Sequence, residues 1–102
     1  MVLTVLEAEV AADREADLIG AFRRAAEEPI PPFLVRSLLV RSAEARSTFR
    51  IMTVFRTRED LDRMRASGET PRGVAIFREA GAEPHLSIFE IEHELVNPAV
   101  AL

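Results

Sequence analysis

The chain has 102 residues, of which 48% are hydrophobic and 29% charged, and its net charge is -4. That size suits one domain with a single core, expected over residues 1–102 with 96–102 as a C-terminal tail, and the acidic balance argues against nucleic acid, whose affinity rests on cationic contacts to phosphate. With no cysteine, tyrosine or tryptophan, and arginine as its only basic residue apart from two histidines, the chain offers no disulfide, sulfur-ligated zinc, thiolate nucleophile, Schiff base or phenolic acid.

Residues 2–10 mix β-branched and apolar side chains with Thr4, Glu7 and Glu9 in near alternation, which suits a first strand. The segment lacks a basic n-region and is interrupted by an acid, so it does not read as a signal peptide, and a cytoplasmic location is expected. No apolar run approaches the roughly 20 residues that cross a bilayer, and no membrane role is expected.

Asp13 is placed to cap a helix with Glu15 and Asp17 in its first turn and Arg23 and Arg24 in its last, matching the helix dipole. Leu18, Ile19, Phe22, Ala25 and Ala26 form its apolar stripe, and Gly20 reads as a point of close packing on the sheet or, alternatively, as room for a ligand. Pro29-Ile30-Pro31-Pro32 stops the helix, because proline lacks the amide donor. Strands are then expected over 33–42 and 47–56, joined as a hairpin by the polar connection Ala43-Glu44-Ala45-Arg46.

Thr57-Arg58-Glu59-Asp60 resembles a capping box with aspartate for the usual Glu or Gln, and opens a helix that runs to Gly68. Thr70-Pro71 opens a shorter helix carrying Val74, Phe77 and Ala80, closed by Gly81. Residues 85–95 alternate as a fourth strand after Pro84. The order β-α-β-β-α-(α)-β is the ferredoxin-like plan, an α+β fold with helices on one face of an antiparallel sheet.

A regular hairpin puts Leu34, Arg36, Leu38, Val40, Phe49, Ile51, Thr53 and Phe55 on one face, and Phe33, Val35, Ser37, Leu39, Arg50, Met52 and Val54 on the other. Both faces are too apolar for water, so a homodimer formed through sheet faces is expected.

The opening Val5-Leu6-Glu7-Ala8-Glu9-Val10, the segment Pro32-Phe33-Leu34-Val35-Arg36-Ser37, the block from Ile51 to Leu61 and the closing Ile88-Phe89-Glu90-Ile91 resemble the antibiotic biosynthesis monooxygenase family of dimeric α/β-barrel proteins. The resemblance implies a pocket between sheet and helices in each subunit, and oxidation of quinol-like aromatics by dioxygen with no metal or flavin. Some relatives degrade haem. Phe55 stands where relatives commonly have tryptophan, and Ala8 where a haem-degrading member has asparagine, so haem chemistry is disfavoured. No cofactor is expected.

The candidate function is a cofactor-independent monooxygenase acting on a small aromatic or quinol-type compound. Its alternative is a non-catalytic binding or structural barrel protein. Arg36 and His85 are the candidate catalytic residues, and Phe22, Arg36, Thr53, Phe55 and Phe77 the candidate substrate contacts. The assumed register sets Arg36 opposite Thr53, where its cation would take a phenolate or carboxylate ligand, or else a structural carboxylate such as Glu7 or Glu9. His85 reads as a general base or as a solvated strand end. On a regular strand His85 and His93 lie about 26 Å apart, so they cannot share a metal, and no metal site is expected. Ser37, Thr48 and Ser87 have no base at a spacing that activates a nucleophile.

Overall fold

A computed structural model describes residues 1–100, with the elements β1 (Val2–Glu9), α1 (Glu15–Ala26), β2 (Leu34–Arg41), β3 (Thr48–Phe55), α2 (Arg58–Ala66), α3 (Arg72–Glu79) and β4 (His85–Glu90). The four strands form one antiparallel sheet in the order β2-β3-β1-β4, so the central strands are β3 and β1. This is the expected α+β, ferredoxin-like plan. No helix is long and apolar enough to cross a membrane.

The ends of the elements follow from local chemistry. Asp13 does not cap α1: it lies in a 3-10 turn, Ala12–Arg14, and the N-cap position makes no side-chain hydrogen bond. The box at α2 forms in a modified way. Thr57 Oγ1 accepts from the Asp60 amide at 3.0 Å, as expected, whereas the Asp60 carboxylate accepts from the Thr57 hydroxyl at 2.9 Å. Aspartate is one methylene shorter than the glutamate that usually reaches back to the N-cap amide. Thr57→Ala removes this cap, and a loss of about 1 kcal/mol is expected in urea denaturation; an unchanged midpoint would mean that water serves the helix end equally well. α3 closes with a Schellman motif, in which Ala82 N donates to Phe77 O and Gly81 N to Arg78 O. Gly81 carries the φ of +74° that this motif requires and that a side chain would strain.

Two strand expectations are corrected. β4 stops at Glu90 instead of running to residue 95. Among the described residues β4 pairs with β1 alone, from His85 opposite Glu7 to Glu90 opposite Val2, and Ile91 N donates to Met1 O just past that ladder. The hairpin register is also not regular: Leu34 pairs with Phe55 but Arg36 with Val54, a β-bulge that takes up Val35. From there on the parity of β2 is reversed. Ser37, Leu39 and Arg41 point toward the helices with Thr53, Ile51 and Phe49, while Arg36, Leu38 and Val40 point away with Val54, Met52 and Arg50.

The helix-facing side of the sheet is therefore Val2, Thr4, Leu6 and Ala8 from β1, Phe49, Ile51, Thr53 and Phe55 from β3, and their partners on β2 and β4. Leu6, Ala8, Phe49 and Ile51 pack with Leu18 and Ala21 of α1 and Ile76 and Phe77 of α3 in the main core, and Val2, Phe55 and Leu61 make a second cluster beneath α2. The glycine that permits close approach is Gly73, not Gly20. A Cβ on Gly73 would lie 2.7 Å from Leu6 Cδ1, whereas one on Gly20 would meet only the Arg24 guanidinium at 3.5 Å. Arg41 ties β2 to α1 by an ion pair with Glu15 and stacks 4.6 Å over the Phe49 ring.

Candidate functional site

α1 leans on α3, and α2 covers the Phe55 end of the sheet, which leaves space between the three helices and the middle of the sheet. That space is a cavity of about 470 Å³. Its helical walls come from Phe22 and Ala25 of α1, Leu61 and Met64 of α2, and Val74 and Ile76 of α3. Its floor is the sheet, with Leu6, Ile51 and Phe55 as apolar contacts. Across that floor runs one polar row: Ser37 of β2, Thr53 of β3 and Thr4 of β1 are successive cross-strand partners. Ser37 Oγ and Thr53 Oγ1 are 2.9 Å apart, and Thr4 Oγ1 donates a long hydrogen bond of 3.4 Å to Thr53 O.

The ionisable lining residues, Arg65, Glu69, Arg72, Arg78 and Glu83, are all exposed and so form the mouth. Arg78 donates two hydrogen bonds to the Glu83 carboxylate, at 2.8 and 3.0 Å. This hydrogen bonding holds the Glu83 carboxyl below the usual range and raises Arg78, so the pair stays charged at neutral pH. Arg72 lies 3.4 Å from Glu28. The mouth is close to electrically balanced, and the floor carries no charge.

Of the residues expected from the sequence, Phe22, Thr53 and Phe55 line the cavity. Phe77 does not: it is 0% exposed within the main core. Arg36 lies on the opposite face of the sheet because of the bulge at Val35, so its pairing with Thr53 is replaced by that of Ser37. Glu7, one of the carboxylates considered for Arg36, is bonded to Arg50 at 2.6 Å. His85 also lies on the far face, level with Glu7, and His93 falls beyond the end of β4. Among the described residues no group of histidines and carboxylates has the arrangement of a metal site. The sequence reading missed most of the apolar lining, such as Leu6, Ile51 and Met64, and the two hydroxyls that flank Thr53 on the floor, those of Thr4 and Ser37. For the hydroxyls the available signal was the coincidence of isolated hydroxyls on otherwise apolar strands.

The fold and cavity define the class, an α+β ferredoxin-like sheet with a small-molecule-sized space beneath its helices. Solved structures that share this fold include proteins proposed to be antibiotic biosynthesis monooxygenases and a conserved protein from Methanosarcina mazei. SnoaB, a cofactor-independent oxygenase from Streptomyces nogalater, superposes with a TM-score of 0.64 at 18% identity over 94% of this chain and 97% of its own. A Nitrosomonas europaea protein proposed to be an antibiotic biosynthesis monooxygenase gives 0.66 at 18% identity, covering 91% of this chain and all of its own. A point mutant of MhuD, solved with two manganese protoporphyrin IX molecules per active site, gives 0.71 at 16% identity over 95% of this chain and 100% of its own. No protein-family model matches the chain, and no curated protein matches its sequence.

The cavity's donor set does not fit haem. Haem iron takes histidine, cysteine, methionine or tyrosine as its axial ligand. Among the described residues the lining has no imidazole, thiolate or phenolate, and its one thioether, Met64, is packed against the cluster of Val2, Phe55 and Leu61.

Proposed function

We propose that the chain binds a small aromatic or quinol-type compound in the cavity between its sheet and its helices, as a homodimer. The observation that carries this reading is the cavity itself: about 470 Å³, walled by apolar side chains and floored by uncharged ones. Small-molecule sites have this character, an apolar space of about 300–1,000 Å³ with a few placed polar groups. Rings such as Phe22 and Phe55 suit flat ligands, since offset stacking adds to area burial.

Cofactor-independent monooxygenation of the bound compound is the second reading, favoured by the fold shared with SnoaB. Such chemistry needs a substrate anion to supply electrons to dioxygen. The cavity floor offers no imidazole or carboxylate to create one and no cation to hold one, which places this reading second.

Calorimetric titration with a panel of dihydronaphthoquinones and naphthoquinones, followed by oxygen-electrode traces with the same compounds, separates the two. Binding is expected for several members, and Ala25→Phe, which sets a ring into the cavity, should abolish it. Absence of binding throughout would defeat the proposal. Binding with oxygen uptake no faster than the spontaneous rate would leave the binding protein and remove the oxygenase.

A further inference from the structure

The hydroxyl row on the cavity floor has a chemistry of its own. On the helix-facing side, the neighbouring cross-strand rows are Leu34, Phe55 and Val2 on one flank and Leu39, Ile51 and Leu6 on the other. Valine or alanine would pack in the row of Ser37, Thr53 and Thr4 as well as its hydroxyls do, and would not have to be desolvated. Each hydroxyl offers one hydrogen and two lone pairs. The 2.9 Å contact between Ser37 Oγ and Thr53 Oγ1 consumes one hydrogen of the two. The other hydrogen and the remaining lone pairs have no hydrogen-bond partner among the described residues, and both side chains line the cavity beside Leu6, Ile51 and Phe55.

From this we infer that the cavity is selective for an uncharged ring compound carrying one carbonyl or hydroxyl oxygen, which sits on the Ser37 and Thr53 hydroxyl pair. The inference rests on the proposed binding role and adds the class of ligand. Size sets the ring system: the volume of about 470 Å³ is about three times the ~150 Å³ cavity that holds one benzene, which suits two or three fused rings. Charge is excluded by the same surroundings. An anion at the floor would have neutral hydroxyls as its only partners, because the arginines lie at the mouth, where Arg78 and Arg72 face Glu83 and Glu28 and Arg65 is exposed to water. The pair can both donate and accept, so carbonyl and hydroxyl ligands are equally served.

Three bicyclic probes of nearly equal size test it by calorimetry at neutral pH: naphthalene, 1-naphthol and 1-naphthoate. The intact protein is expected to bind 1-naphthol about tenfold more tightly than naphthalene, the value of one neutral hydrogen bond, and roughly 100-fold more tightly than 1-naphthoate. The double variant Ser37→Ala, Thr53→Val should bring 1-naphthol down to the level of naphthalene, while naphthalene binding persists and shows that the cavity has folded. Ser37→Ala alone should lose part of the preference. The inference is overturned if 1-naphthoate binds as well as 1-naphthol, or if the double variant keeps its preference for the alcohol. If naphthalene binds and the intact protein shows no preference for oxygen, the ligand class fails and the binding role survives. If none of the three binds, both fail together.

Discussion

Phe77→Ala is expected to destabilise the protein by about 3–5 kcal/mol, the range for truncating a fully buried phenylalanine. The ring is 0% exposed and sits in the core where α3 meets α1 and the sheet, among Leu18, Ala21, Ile76 and Ala80. A domain of this size commonly has a stability of about 5–15 kcal/mol, so the loss is a large fraction of the total. Because Phe77 is not a cavity wall, the molecules that remain folded should bind ligand with the affinity of the parent. Phe22→Ala should behave in the opposite sense. That ring is only partly buried and lines the cavity, so its loss should weaken binding more than it weakens folding. Urea denaturation monitored by circular dichroism, alongside calorimetric titration, reads both quantities. A stability loss under about 1.5 kcal/mol for Phe77→Ala would contradict its place in the core.

The two phenylalanines show where sequence reasoning succeeds and where it stops. Phe22 and Phe77 each lie on the apolar stripe of a helix, and periodicity alone fixes that both face inward. It does not tell whether the space beneath a stripe is filled. That depends on how far α2 and α3 stand from the sheet, which is set partly by Gly73 lying against Leu6. Thr57, Gly81 and the proline run were legible because caps and stops are local chemistry. The register of β2 was not, because Leu38-Leu39-Val40 is apolar without alternation and gives no parity. One inserted residue at Val35 then carried Arg36 off the cavity face and Ser37 onto it. Matching the isolated hydroxyl of Thr53 to the hydroxyl of Ser37, in place of a charged arginine, would have pointed to that bulge.

The corrected register makes the case for a dimer sharper. On the face turned away from the helices the cross-strand rows are Arg36, Val54, Leu3, Phe89; then Leu38, Met52, Val5, Ser87; then Val40, Arg50, Glu7, His85. Two of the three rows are largely apolar, and Leu38 and Phe89 are 46% and 51% exposed. A contiguous apolar surface of this kind has the character of an interface and supports the proposed homodimer. In the third row Glu7 already holds Arg50, so covering it buries an ion pair instead of a lone charge.

Met52 lies in the middle row on a central strand, and Met52→Asp tests the interface at its most demanding point. Its side chain is on the face of the sheet turned away from the cavity, so folding and ligand binding should survive. In a two-fold dimer the substitution enters twice. Even at about 2 kcal/mol per buried, unpaired carboxylate, the sum of about 4 kcal/mol raises the dimer dissociation constant by roughly 10³-fold. Sedimentation velocity at low micromolar concentration should therefore find the parent as a dimer and Met52→Asp as a single chain with an unchanged circular dichroism spectrum. A parent that sediments as one chain would mean that this face is covered by something other than a second copy, and a variant that still dimerises would place the interface elsewhere on the molecule. If the variant dissociates yet keeps its calorimetric ligand affinity, each subunit holds a complete cavity, and the sheet interface serves to cover apolar surface without shaping the site.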